Sequence, residues 1–448
     1  MKKITNGRVW TSSGLRAVQI WIDDAGKIAA LSQQDLPLPP EETIDAQGSL
    51  ILPGGIDMHA HLQDGAETFY PGTCAAVIGG ITTIVDMPPF HACATLAGCQ
   101  ARLRQAQAEC VSDFCLGGGI VVSPEDLTEI SQIAQAGAPY FKVFMPSEPP
   151  VDTALLWRCV RAAAHSGLRM AIHMEASACL EPVVDWQDPL GFAHSRPEVA
   201  ETSATAQVLE MARAAGAPVH VCHVSCGRTA ELVDAYRGWG ADVTAETTPH
   251  FLIFDESEFL RQGARVKTTP PLRQPEDVES LWDAVAAGVI DAVVSDHYLG
   301  ALPGSIPKSL RDAEAGIAGL EVSLPLLYDA GVSQNRISLE RFVQVTAECP
   351  ARILGIAGRK GALAPGMDAD MVFLDPQANW PVAAVGPASR VEGLPYAGRT
   401  LSCRVIRTLV RGGTAWDGKE ICAARGSGHH QPSNPRVKQG NTSAIWAE

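Results

Sequence analysis

Six side chains that can bind or bridge metal ions are spread along the chain in a set order. Each lies in or just after a short apolar run of the kind that forms a buried strand. Residues i and i+2 of a strand face the same side, so the two histidines of the first run can bind one ion together. Strands that end in polar ligands are typical of the rim of a parallel barrel. The six candidates are His59, His61, Lys142, His173, His223 and Asp296.

These residue types predict a hydrolytic centre. Neutral imidazole nitrogens suit Zn, Mn, Fe or Co. Two divalent cations lower the pKa of a water molecule and polarise a carbonyl oxygen. Asp296, near the end of the run AVVSDHY, can bind one ion, accept a proton from that water and pass it to a leaving nitrogen. We therefore predict hydrolysis of an amide-like C–N bond, with Asp57 fixing the tautomer of His59.

Lys142 is the unusual member of the set because an ammonium is costly to bury and has no lone pair for a metal. Its amine can capture CO2 and become a carbamate, whose two anionic oxygens can bridge two cations. Alternatively, the ammonium extends toward solvent or pairs with a carboxylate such as Glu175. The residues by themselves leave these two interpretations equally open.

The elements around these residues predict an α/β protein. Short strands and turns fill residues 1–52, and apolar strands alternate with helical stretches over residues 53–355. This length and rim pattern favour a (β/α)8 TIM-like barrel over a doubly wound sheet. Strands return over residues 356–423, and we predict that they join residues 1–52 in a small β-sandwich domain. Residues 424–448 are rich in Gly, Ser, Pro and Asn, which predicts a flexible tail with solvated histidines or, alternatively, an arm that packs on a neighbouring subunit.

Composition and charge argue against several protein classes. A chain of 448 residues buries a large core, and its net charge of −15 argues against nucleic-acid or anionic-membrane partners. The sequence begins without an apolar secretory segment and has no run long enough to span a bilayer, so we expect a cytoplasmic protein. Twelve cysteines without a CxxC pair predict reduced thiols. Cys222 and Cys226 flank His223 but lack a second pair, which argues against a zinc finger.

The six residues, in this order, resemble the amidohydrolase superfamily, in its cyclic-amidase branch with a binuclear centre bridged by a carboxylated lysine. The resemblance covers nearly the whole chain, including the segment GALAPGMDADMVFLD near the returning strands. Within the branch, the stretches most similar to allantoinases are HLQDGAETFYPGTCAAVIGGITTIVDMP, SRPEVAETSATAQVLEMARAAGAPVHVCHVS, VTAETTPHFL, KTTPPLR, AGIAGLEVSLPLL and LPYAGRTL.

The resemblance implies a site and a reaction. It assigns all six residues as metal ligands, carboxylates Lys142 with CO2 and makes Asp296 the catalytic acid and base. The implied cofactors are two divalent ions per chain, zinc first, with Mn, Co or Fe as alternatives. The implied substrate is a small cyclic amide or ureide, with allantoin opened to allantoate in purine catabolism. Members of the branch are usually homodimers or homotetramers.

Two nearby positions bear on the substrate. Dihydroorotases have an arginine where this chain has Gln63, and a neutral amide cannot form a bidentate pair with a carboxylate. They also have a histidine in the stretch that is Tyr298-Leu299-Gly300 here. Allantoinases commonly have Ser-Pro-Cys in that stretch, and Glu-Pro-Gly where Asp64-Gly65-Ala66 stands. A hydantoinase-like or dihydropyrimidinase-like activity therefore remains the main alternative, with a dihydroorotase-like activity behind it.

Three further residues are candidates for substrate binding from their loop positions: Gln63, His250 and Arg273. We expect His297, next to Asp296, to face away from the metal site. A non-catalytic scaffold is the competing class, since some relatives in this branch assemble with partner enzymes. Such scaffolds tend to lose metal ligands, whereas this chain keeps all six.

Overall fold

The computed structural model describes residues 1–433 except residue 38, residues 90–94 and 301–308, residue 384 and residues 387–393. The described chain is a mixed α/β structure in which parallel strands alternate with helices through its middle part. No helix among the described residues is long and apolar enough to cross a membrane.

The strands, numbered in chain order, are β1 (Lys2–Thr5), β2 (Arg8–Thr11), β3 (Gly14–Arg16), β4 (Gln19–Ile22), β5 (Ile28–Ser32), β6 (Glu42–Asp45), β7 (Leu50–Pro53), β8 (Gly55–His61), β9 (Ile81–Asp86), β10 (Asp113–Leu116), β11 (Ile120–Val121), β12 (Tyr140–Phe144), β13 (Arg169–His173), β14 (Val219–Val221), β15 (Val243–Thr247), β16 (Ala292–Val293), β17 (His297–Tyr298), β18 (Met371–Asp375), β19 (Trp380–Pro381), β20 (Thr400–Leu401), β21 (Arg404–Val410) and β22 (Gly413–Trp416).

The α-helices are α1 (Phe69–Ile78), α2 (Leu96–Glu109), α3 (Ile130–Gln135), α4 (Thr153–Ser166), α5 (Gly191–His194), α6 (Glu198–Ala215), α7 (Gly227–Gly238), α8 (Pro249–Ile253), α9 (Glu258–Gln262), α10 (Pro275–Ala287), α11 (Ser323–Leu327), α12 (Leu339–Val343) and α13 (Cys349–Ile353).

The parallel strands form a four-stranded sheet, β10-β9-β8-β17, and a six-stranded sheet from β11 to β16 in sequence order. One chain segment carries both β10, which pairs with β9, and β11, which pairs with β12. Another carries β16, which pairs with β15, and β17, which pairs with β8. The succession of paired strands therefore begins at β8, which pairs with β9, and ends at β17, which pairs with β8 again. Because these strands are parallel, their carboxyl ends lie at one edge.

Local sequence explains how the chain turns from a helix into a strand whose carboxyl end lies at that edge. Helix α4 begins after Asp152, whose side chain accepts the backbone N–H of Leu155 at 2.7 Å. The helix ends at Gly167, which has a left-handed φ of +70° and lets the chain turn back. Strand β13 follows directly, is mostly buried, and ends at His173. A helix likewise precedes β12, β14 and β16, whereas β8 follows β7 directly.

Strands from both ends of the chain share a six-stranded sheet, β22-β21-β18-β7-β2-β3. A four-stranded sheet of N-terminal strands, β5-β4-β1-β6, lies beside it. The two sheets contribute to one hydrophobic core formed by Ile4, Val9, Ile20, Ile22, Ile28, Ile44, Ala46, Ile51, Leu363, Ala369, Met371, Phe373 and Leu409. The returning strands therefore pack with the N-terminal ones, as their patterns predict.

The start of the predicted flexible tail is instead ordered against the parallel strands. The backbone N–H of Phe114 in β10 donates to His429 O at 3.1 Å, and Gln431 N–H donates to Phe114 O at 2.8 Å. Ser433 N–H donates to Gly137 O at 2.9 Å. The prediction of flexibility is thus wrong for this segment, because main-chain hydrogen bonds to β10 outweigh its loop-like composition. His429 is exposed as predicted, whereas His430 is partly buried. Residues 434–448 of that prediction lie outside the described residues.

Candidate metal centre

The structure brings the six predicted ligands together around one cavity of about 440 Å³. They come from five strand segments, at or just beyond the carboxyl ends of most of them. His61 ends β8 and His173 ends β13, whereas Lys142 is the third residue of β12. His223 follows β14 by two residues, and Asp296 lies between β16 and β17. The prediction that these residues meet at one edge is consistent with this arrangement.

The first group of ligand atoms belongs to His59, His61 and Asp296. Asp296 Oδ1 lies 3.3 Å from His59 Nε2 and 3.6 Å from His61 Nε2. The two imidazole rings have their centroids 5.4 Å apart. Three donor atoms from two separate strand segments can therefore reach a single cation.

A second group is formed by His173 and His223, whose Nδ1 and Nε2 atoms lie 3.1 Å apart. Both rings are buried, and His223 Nδ1 has no hydrogen-bond partner among the described residues. The rings of His59 and His223 have centroids 5.3 Å apart, so the second group directly adjoins the first.

Lys142 lies between the two groups. Its Nζ is 3.5 Å from His59 Nε2 and 3.2 Å from Cys222 Sγ. Among the described residues, no carboxylate lies within ion-pairing distance of that amine. Glu175, the partner that the alternative interpretation assigned to Lys142, pairs with Arg196 instead. A buried amine without a counter-charge is the environment in which carbamate formation would relieve an electrostatic cost.

Glu246 in β15 fixes the ring of His59. Its Oε1 contacts His59 Nδ1, and its Oε2 lies 2.9 Å from His220 Nε2. An imidazole that donates from Nδ1 to a carboxylate presents the lone pair of Nε2 to the cavity. Despite full burial, the two histidines hold the pKa of Glu246 well below its usual range, so it stays ionised.

Glu175 fixes the ring of His173 in the same way. The carboxylate Oε2 lies 2.5 Å from His173 Nε2, which leaves Nδ1 to face the cavity. Arg196 donates to both oxygens of Glu175, at 3.0 Å from Nε and 2.6 Å from Nη2. Although burial opposes ionisation, contact with His173 and Arg196 brings the pKa of Glu175 to about 2.

The ionisation of the ligands suits metal binding. Burial, helped by the Lys142 ammonium, lowers the pKa of His59 to about 4. Burial also holds the pKa of His223 well below its usual range. It acts in the same direction on His61, but hydrogen bonds to Asp296 and Asp64 outweigh it and raise the pKa of His61 to about 9. Carboxylates that stabilise a proton on His61 would equally stabilise a cation in its place.

Two of the ligands have an unusual backbone conformation. His223 has a φ of +34° and Asp296 a φ of +46°, both in the left-handed region. Such a conformation costs about 1–3 kcal/mol for a residue other than glycine and is common at functional sites. Here it turns the chain just after the strand, which aims each side chain back into the cavity.

Asp57 does not hold the His59 ring, contrary to the prediction. Its carboxylate accepts the backbone N–H of His59 at 3.0 Å and of Ser295 at 3.2 Å, so it ties β8 to the segment before Asp296. The tautomer is instead set by Glu246, which reaches His59 from another strand. His297 faces away as expected, since its Nε2 contacts Glu67 and its Nδ1 accepts the N–H of Gly319 at 3.0 Å.

The three predicted substrate-binding residues are not among the described residues that line the cavity. Arg273 is engaged within the protein, donating to Ser225 Oγ at 2.9 Å and to Arg196 O at 2.5 Å, and facing Glu201. Gln63 accepts from Gln105 Nε2 at 3.4 Å. His250 is buried, and neither of its ring nitrogens has a hydrogen-bond partner in the part of the chain that the structure describes. Arg273 is thus engaged by groups within the protein, and the substrate-binding roles of all three residues stay predictions.

The cavity wall includes residues that the sequence did not single out for binding. Asp64 Oδ2 lies 3.2 Å from His61 Nδ1. Lys267, Tyr298 and Glu314 also lie on the wall. In the sequence, Tyr298 stands out only as a departure from related families. Glu175 follows His173 by two residues, so strand periodicity could have paired it with the site. No sequence spacing links Lys267 or Glu314 to the ligands, because they come from separate loops.

Comparisons with known proteins agree with this geometry. The model of the amidohydrolase family matches residues 50–414. An allantoinase from Rubrobacter xylanophilus is 34% identical over 440 residues, which cover 93% of this chain and 95% of that protein. An allantoinase from Escherichia coli O127:H6 is 31% identical over 435 residues, covering 92% of this chain and 94% of its own.

Solved structures of hydantoinases are similar to this protein over nearly the whole chain. The L-hydantoinase (dihydropyrimidinase) from Arthrobacter aurescens superposes with a TM-score of 0.90 at 31% identity and covers 96% of this chain and 99% of its own. A D-hydantoinase (dihydropyrimidinase) from a Thermus species has a TM-score of 0.89 at 26% identity, covering 98% of this chain and 100% of its own.

Proposed function

The chain belongs to the amidohydrolase family, and from that premise we propose that it hydrolyses the C–N bond of a cyclic amide, with allantoin opened to allantoate. The observation that carries the proposal is the meeting of His59, His61 and Asp296 with His173 and His223 at one cavity, on either side of Lys142. Both the allantoinases and the hydantoinases among the similar proteins are named for cyclic substrates, which supports this class of reaction.

The residues fit two divalent ions. Around a tetrahedral ion with ligand bonds of roughly 2.0–2.1 Å, neighbouring ligand atoms lie about 3.3 Å apart. The spacings of 3.1 Å between His173 and His223 and of 3.3 Å between His59 and Asp296 match that value. His59, His61 and Asp296 would hold one ion, and His173 and His223 the other, with a carbamate on Lys142 shared between them. Zinc suits this set best, with Mn, Co or Fe as alternatives.

When bound, the ions would polarise the scissile carbonyl and lower the pKa of a water molecule. Asp296 would accept a proton from that water on its carboxylate and return it to the ring nitrogen as the C–N bond breaks. Its low pKa keeps it ready as a base, because contacts with His59 and His61 favour the ionised form over the opposing effect of burial. Glu246 and Glu175 would hold the ligand rings in the orientation that this chemistry needs.

We further propose that the parallel strands close into a (β/α)8 barrel. The pairing of β10 and β11 on one side and of β16 and β17 on the other supports closure at both seams. The shared core of the two smaller sheets supports a β-sandwich made by residues 1–52 and 356–423. In such a barrel the active site lies at the carboxyl ends of the strands, where the ligands are found.

A neutral ring suits the cavity better than an anionic one. No arginine is among the described residues that line it, and the ammonium of Lys267 already binds the carbonyls of Leu310 and Ala313 at 2.7 and 2.6 Å. A substrate carboxylate, as in dihydroorotate, would find no free guanidinium there. Hydantoin and dihydropyrimidine rings are neutral and remain alternatives, favoured by the structural similarity to hydantoinases.

The decisive experiment compares four rings on protein reconstituted with divalent metal and bicarbonate. We expect chelator-sensitive hydrolysis that is fastest with allantoin, slower with hydantoin and dihydrouracil, and slowest with dihydroorotate. Metal content should be about two ions per chain, the number expected of a two-metal site. Faster hydrolysis of hydantoin or dihydrouracil than of allantoin would show that this other ring is the preferred substrate. Metal-loaded protein that hydrolyses none of the four would refute the proposal.

A further inference from the structure

Tyr298 forms a rigid part of the cavity wall. It pairs in register with His61 across β17 and β8, and its ring meets the His61 imidazole edge-on at 6.0 Å and 88°. Three glycines close around the ring: a Cβ atom on Gly316 or Gly300 would overlap it, and one on Gly65 would meet it at 3.2 Å. This fit requires the absence of side chains at three positions in two connections, β8–α1 and β17–α11, so the ring has little freedom to move.

The rigid ring holds Glu314 at the cavity. The Tyr298 hydroxyl donates to Glu314 Oε2 at 2.6 Å. The loop that carries Glu314 is fastened on both sides, since Lys267 Nζ donates to Ala313 O at 2.6 Å and Gly316 N–H donates to Lys267 O at 2.8 Å. An exposed glutamate would ordinarily sample many rotamers, and here a hydrogen bond and a fastened loop restrict it.

Glu314 differs from the other carboxylates of the described cavity lining. Asp296 is a proposed metal ligand, and Asp64 contacts the His61 ring. Glu314 accepts a single hydrogen bond from the protein among the described residues. An ionised carboxylate has about four lone-pair directions, so the group retains acceptors for N–H donors. It also places a negative charge on the cavity wall, which would repel an anionic substituent nearby.

Resting on the proposed function, we propose that Glu314, oriented by Tyr298, selects rings that carry a substituent rich in N–H donors, as a ureido group is, and rejects rings that carry a carboxylate. Allantoin has such a ureido group on its ring, and hydantoin has the same ring without it. The scissile bond and the metal chemistry are the same for both. The contribution of Glu314 should therefore appear as a difference between two substrates and not as a general loss of activity.

The test measures kcat/KM of the metal-loaded Glu314→Gln variant with allantoin, hydantoin and hydantoin-5-acetate. We expect a loss of about tenfold or more with allantoin, the order of magnitude of a hydrogen bond to a charged group. Hydantoin should change less than about twofold, and hydantoin-5-acetate should improve as its like-charge repulsion is removed. Tyr298→Phe should produce a smaller loss that is again confined to allantoin, because it frees Glu314 without removing it.

Asp312→Asn is the matched control, since Asp312 lies exposed on the same loop but is not among the residues that line the cavity. It removes the same charge and should leave all three substrates within about twofold of the parent enzyme. An equal loss with allantoin and hydantoin in Glu314→Gln would overturn the inference and leave the proposed function intact. A parent enzyme that hydrolyses none of these rings would instead refute the proposed function.

Discussion

Two buried groups of charged residues occupy opposite ends of the parallel strands. The ligand cluster, formed by the six predicted metal ligands, lies at the carboxyl ends. The lysine cluster consists of Lys360 with Asp113, Asp368 and Asp370, and Asp113 is the first residue of β10. In both clusters, acidic or imidazole donor atoms lie close enough together to hold a cation. They differ in whether a lysine ammonium lies within ion-pairing distance of the carboxylates of the cluster, among the described residues.

In the lysine cluster the cation is an ammonium. Lys360 Nζ lies 2.7 Å from Asp113 Oδ2 and 3.1 Å from Asp368 Oδ2, and it also contacts Asp370. Arg411 adds a second contact to Asp113. In the ligand cluster, the proposed ligand atoms His173 Nδ1 and His223 Nε2 lie 3.1 Å apart at the cavity, and no lysine or arginine pairs with Asp296 among the described residues. Closely spaced donor atoms therefore indicate a metal site only where no ammonium or guanidinium of the protein already pairs with them.

The largest effect should come from removing the proposed proton carrier. Asp296→Ala should lower kcat by at least about 10³-fold, since general acid–base catalysis alone contributes roughly 10²–10⁴-fold and a metal ligand is lost as well. The fold should persist, because the side chain lies at a cavity rather than in the hydrophobic core. Steady-state kinetics and circular dichroism would check both points, and retention of a tenth of the activity would exclude this role for Asp296.

The two buried lysines provide a direct test of the comparison. Lys142→Ala should lose bound metal, and added acetate or propionate should restore part of the metal and activity by supplying the missing anionic bridge. Elemental analysis of the purified variant, with and without these acids, measures the effect. Full metal content in the variant without added acid would contradict a bridging role for Lys142.

Lys360→Met should lower the folding stability and leave the metal content unchanged, the reverse of the effect expected for Lys142→Ala. Removing the cation leaves three buried carboxylates without their shared ammonium, and breaking such a pair costs about 3–5 kcal/mol of folding free energy. The thermal midpoint should fall, while metal content and kcat/KM below that midpoint should stay close to those of the parent enzyme. Loss of metal at unchanged thermal stability would show that the lysine cluster is not merely structural.

A smaller effect is expected from the carboxylates that orient the ligand rings. Glu246→Gln and Glu175→Gln should each weaken metal affinity by about 10–100-fold, as is usual for partners of metal-binding histidines. Metal titration with a competing chelator measures the change. Glu210→Gln, on the exposed face of α6, is a matched control and should leave affinity unchanged. Equal affinities in all three variants would argue that ring orientation is set by packing alone.

The meeting of the six predicted residues at one cavity follows in part from simple periodicities. His59 and His61 share a strand face at a spacing of two residues, and polar residues that follow buried strands meet at one edge of a parallel sheet. Family membership and the mixed α/β class were predicted from the same residues and are confirmed. The metal roles, the domain limits and the carbamate on Lys142 stay predictions.

Other features were beyond the reach of the sequence because they depend on contacts between distant segments. Asp57 is nearest to His59 along the chain, yet Glu246 from another strand holds its ring. The composition of residues 424–433 predicted a flexible tail, but hydrogen bonds to β10 order it.

The amino-acid sequence by itself determined which donor atoms this protein brings to the ends of its strands, since side-chain direction along a strand is a local property. Only the tertiary structure decided which partners those donors meet: Arg196 for Glu175, Tyr298 for Glu314, and an ammonium for the acids of the lysine cluster. The reason is physical. Strand direction follows from neighbouring residues, whereas the matching of buried charges and hydrogen bonds depends on which loops and strands pack together.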